Sequence, residues 1–262
     1  MQIPLQISPL IPRAALVTGG ARRLGRATAL ALAEAGFDIA LHYRGSAEEA
    51  EATAAAIRGL GRRAVTLRAG LEQEAEAAAL VPAAAAALGP LGVLVNNAST
   101  FERDEWDTAT RDSWDHHLEP NLRAPFVLSQ ALAAQLPEAA EGAILNMLDQ
   151  RVWSLTPHFV TYTVSKAGLW ALTQSLALAL APKRIRVNGI GPGPAIPSPR
   201  QTEEQFALQA ASTPLGRGTS PEEVAGAILA ILALPAMTGQ MIALDGGQHL
   251  QWSPQRGQVP PE

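Results

Sequence analysis

Apolar positions along the chain form short continuous runs that alternate with longer runs spaced for one face of a helix. This alternation is typical of a parallel sheet that helices cover on both sides. The predicted strands lie at residues 14–20, 37–42, 64–68, 91–99, 143–148, 186–189 and 241–244. The predicted helices lie at residues 24–35, 46–59, 72–88, 159–181 and 221–232. We therefore predict an α/β fold, a doubly wound domain with a seven-stranded, mostly parallel sheet.

No linker, composition break or internal repeat divides the chain, so one domain is predicted over residues 1–262, with its core at about 14–252 and peripheral termini. Local signals refine the helices. Ser46 and Glu49 match a capping box, and Pro82 is predicted to interrupt the third helix. Thr202 with Gln205 is predicted to cap a short helix in a segment rich in proline and serine.

Composition narrows the possible partners. The chain is 47% hydrophobic and 17% charged, which predicts a packed core. Its net charge of −4, without a basic block, argues against nucleic-acid and membrane-surface partners. It has no cysteine, and no apolar run reaches the roughly 18 residues of a membrane span. The first residues lack a basic n-region and are broken by prolines, so we expect a cytoplasmic protein without a signal peptide.

The segment TGGARRLGRA, residues 18–27, joins the first predicted strand to the first helix. Glycines there let the backbone approach a pyrophosphate, while the helix N-terminus offers unpaired N–H groups. The spacing of Gly19, Gly20 and Gly25 is not the common G-x-G-x-x-G, and a plain turn would also explain a glycine pair. In this position the segment favours a dinucleotide site in a Rossmann-type fold.

The second predicted strand ends in HYRGS, residues 42–46, where an acidic residue would select NAD. Arg44, with Ser46 and Arg22, offers charge-assisted hydrogen bonds to a 2′-phosphate instead. A surface arginine without a role is the alternative. This end of the site therefore favours NADP(H) over NAD(H).

TYTVSK places Tyr162 and Lys166 four residues apart on one face of the long helix. A nearby ammonium stabilises a phenolate and lowers the pKa of the phenol, which allows proton exchange with a substrate. A tyrosine packed under a solvated lysine is the alternative interpretation. Asp149 follows a buried strand and sets a carboxylate where the chain leaves the core; capping local N–H groups would also explain it.

Together the motifs TGGARRLG, NNAS, Asn121, Tyr162/Lys166, GPG and LDGG resemble the short-chain dehydrogenase/reductase family over about residues 14–252. The resemblance implies that Tyr162 is the catalytic acid-base residue and that Lys166 binds the nicotinamide ribose. It implies that Asn121 supports a water linked to Lys166, and that the protein is a homotetramer. It also implies cofactor contacts from Asn97, Ala98, Pro192 and Gly193.

Two departures from that family, Arg23 in the glycine loop and Asp149 in place of the catalytic serine, are similar to the pteridine reductase subgroup. HYRGS and NNASTF match this subgroup as well. The resemblance implies that Phe101 stacks on a pterin, that Ser99 bonds the ring edge, and that Arg23 reaches both a phosphate and the pterin. The cofactor would also contact Leu24, His42, Tyr43 and Leu71. Gly70 replaces the usual acidic residue near the adenine.

These observations predict an NADPH-dependent reductase of a dihydropterin or dihydrofolate-like ring, with the proton supplied through Tyr162 and Asp149. A carbonyl or 3-oxoacyl reductase of the same family is the first alternative, and a non-catalytic NADP-binding sensor is the second. Trp106, Trp114 and Trp153 either line the pocket or pack within loops. His116 and His117 lack a ligand-spaced carboxylate, so no metal site is predicted.

Overall fold

A computed structural model describes residues 6–198 and 200–250. It contains a seven-stranded sheet of order β3-β2-β1-β4-β5-β6-β7, in which every neighbouring pair is parallel. The strands are β1 Ala14–Val17, β2 Asp38–Tyr43, β3 Ala64–Arg68, β4 Val93–Asn96, β5 Gly142–Met147, β6 Ile185–Pro192 and β7 Met241–Leu244. The predicted fold class and its seven strands are confirmed, and the sheet is wholly parallel.

The described residues form eight α-helices. They are α1 Arg23–Glu34, α2 Ala47–Gly59, α3 Glu74–Leu88, α4 Arg111–Leu118, α5 Ala124–Gln135, α6 Val160–Leu180, α7 Glu203–Ala211 and α8 Pro221–Leu232. A π-helical segment at 119–123 joins α4 to α5. Three predictions about these helices were wrong or incomplete.

Pro82 does not interrupt α3, which continues through it. One lost backbone hydrogen bond is tolerated there because Leu80, Val81 and Ala84 on the same helix are buried in the core. The predicted capping box at α2 is also wrong. Ser46 is the N-cap, but its side chain makes no capping bond among the described residues, and Glu49 faces Arg22 at 3.5 Å. The capping box between Thr202 and Gln205 is confirmed.

Helices α4 and α5 were not predicted. The segment of α4, RDSWDHHL, is mostly polar, so it carries little of the apolar periodicity that identifies a helix. A capping box between Thr110 and Ser113 starts it. Within α4, His116 is exposed and His117 is fully buried.

Two apolar layers enclose the sheet. Alternate residues of β1 point to opposite faces, so Ala15 and Val17 join one cluster while Leu16 joins the other. The first cluster packs against α1, α2 and α8, and the second against α3, α5 and α6. Because all seven strands are parallel, their carboxyl ends lie along one edge of the sheet, and the strand order reverses beside β1.

In the described part of the chain, no helix has the length and apolarity to cross a membrane.

Candidate active site

A cleft of about 840 Å³ opens at the carboxyl edge of the sheet. It brings together almost every residue that the sequence predicted. These are Gly19, Arg22, Arg23, Leu24, Gly25, His42, Tyr43, Arg44, Ser46, Leu71, Asn97, Ala98, Ser99, Phe101, Asp149, Tyr162, Lys166, Pro192 and Gly193. Asn121 is the exception and lies behind the wall of the cleft, fully buried.

The glycine loop is shaped by contacts with β2 and β4. Gly19 has a φ of +63°, which favours glycine, and a Cβ on Gly25 would lie only 2.1 Å from the Gly19 carbonyl oxygen. Asn97 Nδ2 donates to the Thr18 carbonyl oxygen at 2.9 Å. Among the described residues no side chain caps the N-terminus of α1. Its first N–H groups consequently remain available to an anion.

His42 holds the same loop from below. Its Nδ1 accepts a hydrogen bond from the Gly19 N–H at 3.1 Å, so its Nε2–H donates to the Ala69 carbonyl oxygen at 3.1 Å. Burial lowers the pKa of His42, which agrees with this neutral tautomer. The ring lines the cleft, and its polar atoms are committed to the protein.

The outer end of the cleft combines cations with two acidic side chains. Arg44 and Ser46 lie there, whereas Arg22 is 3.5 Å from Glu49 across an exposed ion pair. Glu72 folds toward Gly70, so that a Cβ on Gly70 would lie 2.7 Å from Glu72 Oε1. Sequence reasoning missed Glu72, because the acidic residue was sought at position 70.

At the inner end, Tyr162 Oη donates a hydrogen bond to Asp149 Oδ2 at 2.9 Å. Asp149 Oδ1 accepts from the Arg151 N–H at 2.8 Å, which fixes the carboxylate. Asp149 therefore also caps the short turn that follows, as the alternative interpretation held. Both functions coexist because the two oxygens face different ways, one toward the turn and one toward the phenol.

Lys166 lies on the same face of α6 as Tyr162. Its Nζ donates to the Met147 carbonyl oxygen at 2.8 Å and lies 5.8 Å from the centroid of the Tyr162 ring. Burial lowers the pKa of Lys166 to about 8, against the opposing effect of the Asp149 charge. A lysine with this pKa is mostly charged at neutral pH and loses its proton only slightly above it.

Asn121 sits in the π-helical segment, where its amide holds the backbone of a neighbouring loop. Its Oδ1 accepts from the Thr100 N–H at 2.8 Å, and its Nδ2 donates to the Thr100 carbonyl oxygen at 3.0 Å and to Ser165 Oγ at 3.1 Å. These bonds connect α6 to the segment that carries Phe101. The predicted water link to Lys166 stays a prediction.

The Phe101 ring belongs to an aromatic cluster. It stacks on Phe159 with centroids 4.6 Å apart and an interplanar angle of 5°, and it meets Tyr162 edge-on at 4.6 Å. Phe159 has a left-handed backbone conformation, with φ at +58°, which is a strained state for a residue with a Cβ. Phe159 was not predicted. The available signal was its place three residues before Tyr162, at the predicted start of the long helix, although in the structure the helix begins one residue later.

Among the described residues, three arginines lie over the rings of this cluster, namely Arg103, Arg151 and Arg200, and none of them was predicted. The predicted Arg23 is bonded elsewhere. Arg23 donates to the carbonyl oxygens of Ile196 and Pro197, at 3.1 and 2.8 Å, instead of projecting freely into the cleft. Arg200 donates to the Phe101 carbonyl oxygen and pairs with Glu102. The Arg151 guanidinium lies 4.7 Å from the Phe159 ring centroid. Residues 196 and 197 are thereby bonded to the glycine loop, and Arg200 is bonded to the segment that carries Phe101.

The tryptophans contribute less. Trp106 is 84% exposed, and the described residues that line the cleft do not include Trp106, Trp114 or Trp153. Trp153 instead contacts the rings of Trp170 and His249 edge-on. This contact supports the structural interpretation of Trp153.

Comparison with known proteins shows which proteins this chain resembles. A family model described as enoyl-(acyl carrier protein) reductase matches residues 19–249. The chain is 31% identical to the 3-oxoacyl-[acyl-carrier-protein] reductase FabG of Staphylococcus aureus, over 91% of this chain and 98% of that protein. It is 43% identical to the solved structure of FolM alternative dihydrofolate reductase 1 from Brucella suis in complex with NADP, with a TM-score of 0.90. That match covers 94% of this chain and 98% of the other.

A short-chain dehydrogenase from Burkholderia cenocepacia in complex with NADP is 33% identical, with a TM-score of 0.86 over 92% of this chain and 99% of that chain.

Three features of this chain together define a class of nucleotide-dependent oxidoreductases. They are a wholly parallel sheet, a glycine loop at the switch point of that sheet, and a Tyr–Lys pair on one helix. The chain belongs to the short-chain dehydrogenase/reductase family. Its similarity to the FolM structures supports the pteridine reductase-like subgroup that the sequence predicted.

Proposed function

We propose that the protein is an NADPH-dependent reductase of a pteridine ring, of the dihydropterin or dihydrofolate type. The carrying observation is the Asp149 carboxylate, hydrogen-bonded to the Tyr162 phenol beside the Phe101 ring. A serine at that position would offer a hydroxyl to a carbonyl oxygen. A carboxylate instead accepts from the N–H donors of a nitrogen-rich ring or passes a proton to a ring nitrogen.

The cleft fits NADP(H) along its length. The uncapped N-terminus of α1 suits the pyrophosphate, and Arg44 with Ser46 suits the 2′-phosphate. Glu72, which lies beside Gly70, would supply a carboxylate to the adenine in place of the acid missing at position 70. Lys166, Asn97 and Ala98 would hold the nicotinamide ribose, with Pro192 and Gly193 beside the nicotinamide.

The bound coenzyme would supply the hydride to a ring C=N carbon. The protein supplies the proton to the ring nitrogen, through the Tyr162 hydroxyl and Asp149. The Lys166 ammonium stabilises the phenolate that proton donation leaves behind. Phe101, backed by Phe159, offers a flat face to the heterocycle, and Ser99 lies within the same cleft to bond its edge. Arg23 also lines the cleft, and it would have to turn from the carbonyl oxygens of Ile196 and Pro197 to bond the heterocycle.

A 3-oxoacyl or carbonyl reductase is the second candidate, supported by the 31% identity to FabG over nearly the whole chain. Asp149 argues against it, because a carboxylate cannot donate a hydrogen bond to a carbonyl oxygen unless it is protonated. A non-catalytic NADP-binding sensor is the third. Such a protein would need the glycine loop but not the hydrogen-bonded set of Asp149, Tyr162 and Lys166.

Steady-state oxidation of NADPH with 7,8-dihydrobiopterin, dihydrofolate and a panel of ketones and 3-oxoacyl thioesters separates these candidates. We expect turnover with at least one reduced pteridine. Turnover of ketones or thioesters without pteridine turnover would reject the proposal in favour of the second candidate. Tight NADPH binding without any turnover would favour the third. The predicted homotetramer is checked on the same sample by light scattering after size-exclusion chromatography.

A further inference from the structure

A buried imidazole that is not one of the predicted catalytic residues contacts the segment that carries the Phe101 ring. His117, on α4, is fully buried, and its Nε2 accepts a hydrogen bond from the Glu102 N–H at 3.0 Å. Glu102 directly follows Phe101 in residues 99–104, which we call the Phe101 loop. The imidazole therefore binds the backbone of this loop at the residue next to Phe101.

The opposite side of the ring leads to α6. Because Nε2 is an acceptor, the ring proton is on Nδ1, which lies 2.8 Å from Thr161 Oγ1 and 3.0 Å from the Ser113 carbonyl oxygen. Burial lowers the pKa of His117, in agreement with a neutral ring. Thr161 Oγ1 in turn donates to the buried carboxylate of Asp104. A directed chain of hydrogen bonds thus runs from α4 through α6 back to the Phe101 loop.

Asp104 completes the connection to Phe159 and Tyr162. Its Oδ1 accepts from the Thr161 N–H at 3.2 Å at the start of α6, and its carbonyl oxygen accepts from the Phe159 N–H at 2.9 Å. Phe159 is the left-handed residue that stacks on Phe101. Tyr162 follows Thr161 directly, and its ring lies 6.0 Å from the His117 ring. The same hydrogen bonds consequently position both the Phe101 ring and Tyr162, the proposed proton donor.

We propose that His117 is a positioning residue for the substrate, which sets the Phe101 loop against the first turn of α6 by accepting the Glu102 N–H. It acts through Glu102 and Thr161, and it is not among the described residues that line the cleft. The kinetic part of this inference rests on the proposed pteridine reduction. The structural part does not, because the hydrogen bonds lie within the protein.

Two substitutions separate the two sides of the ring. His117→Gln places an amide oxygen near the position of Nε2 and retains an acceptor for the Glu102 N–H. His117→Asn retains a donor near the position of Nδ1 and leaves the Glu102 N–H unpaired. The matched control is His116→Gln, since His116 is exposed on the same helix. His117→Phe removes both functions while approximately preserving the ring volume.

Two measurements are made on each full-length variant. The first is hydrogen exchange, by mass spectrometry, of a peptide that covers residues 99–104. The second is the KM and kcat of pteridine reduction, with the NADPH Kd from fluorescence as a check of folding. We expect exchange in the Phe101 loop and the pteridine KM each to rise about tenfold or more in the Asn and Phe variants, because the Glu102 N–H loses the acceptor that ties the loop to the buried imidazole.

The NADPH Kd should stay within about twofold, and kcat should fall less than KM rises. The Gln variant should lie near the wild type, as should His116→Gln. If the Asn and Gln variants behave alike in both measurements, the acceptor is not what matters and the proposal is wrong. Unchanged exchange in the Phe variant would also overturn it. If the wild type reduces no pteridine, the proposed function fails, while the exchange data still decide the role of His117.

Discussion

The two ends of the cleft are built in different ways. At the coenzyme end, the glycine loop lies between elements adjacent in sequence, and its shape follows from glycine backbone conformations and the free N-terminus of α1. At the substrate end, the Phe101 loop is held by side chains from α4, the π-helical segment and α6, and by Arg200. The coenzyme end is thus centred on one strand–loop–helix unit that His42 and Asn97 support, whereas the substrate end depends on side chains from four separate segments.

This difference indicates which changes should affect which ligand. Substitutions at the substrate end should alter turnover or the pteridine KM and leave the NADPH Kd nearly unchanged. Substitutions at the coenzyme end should alter the nucleotide preference instead.

Tyr162→Phe removes the hydroxyl that donates to Asp149 Oδ2. We expect pteridine reduction to fall at least about a hundredfold, the lower range of a lost general acid. The NADPH Kd should change by less than about threefold, since the phenyl ring remains in place. Measured kcat in the presence of saturating NADPH tests this. Retention of more than half of the wild-type rate would show that another group delivers the proton.

Asp149→Ser restores the residue type usual in the family and removes the carboxylate. Pteridine turnover should fall well over tenfold because the ring loses its acceptor, whereas the NADPH Kd should hardly change. Asp149→Asn is the matched control, because it preserves the shape and an acceptor oxygen without the charge. An equal loss of NADPH binding in the serine variant would contradict the placement of Asp149 at the substrate ring.

Arg44→Ala tests the coenzyme end. Removing a charge-assisted contact to the 2′-phosphate should lower the preference for NADPH over NADH, in kcat/KM, by about tenfold. The pteridine KM should remain constant. Arg22→Ala provides the comparison, because Arg22 already faces Glu49 across the exposed ion pair and should matter less. An unchanged nucleotide preference in Arg44→Ala would remove the 2′-phosphate assignment.

The pH dependence tests Lys166, whose pKa is lowered to about 8 by burial. Below this pH the ammonium is present and supports the Tyr162 phenolate, so reduction should fall to about half near pH 8 and further above it. In Lys166→Arg the decline should move to higher pH, because guanidinium keeps its charge. A rate that stays constant to pH 9.5 would argue against a role for the ammonium.

Stability should move in the opposite direction over that range. The folded state holds the Lys166 proton less tightly than the unfolded state, whose ordinary lysine pKa is 10.5. Between about pH 8 and 10.5 the unfolded chain therefore binds more protons, and the contribution of Lys166 to the free energy of unfolding rises with pH. Falling activity with a rising Lys166 contribution would separate titration at the site from alkaline unfolding. Comparison with Lys166→Met by chemical denaturation isolates this contribution.

Much of the fold was predictable because its signals are local. Apolar runs identified all seven strands, and Thr202 with Gln205 correctly marked the start of α7. Helix α4 escaped prediction since its buried contact is made by a histidine instead of an apolar stripe. Pro82 misled because its helix-breaking tendency was overcome by packing of the surrounding turns.

The α/β architecture and the glycine loop were readable from the sequence because apolar runs and glycine positions are local signals. Tyr162 and Lys166 were found by their spacing on one helix, and Asp149 by its place after a strand and by family resemblance. The folded chain was needed to show that Phe159 backs Phe101, that Arg200 donates to the Phe101 carbonyl oxygen, and that His117 accepts the Glu102 N–H. These contacts join residues from 15 to 99 positions apart. No local periodicity records such pairings, since they arise where chain segments from different elements converge at the edge of a parallel sheet.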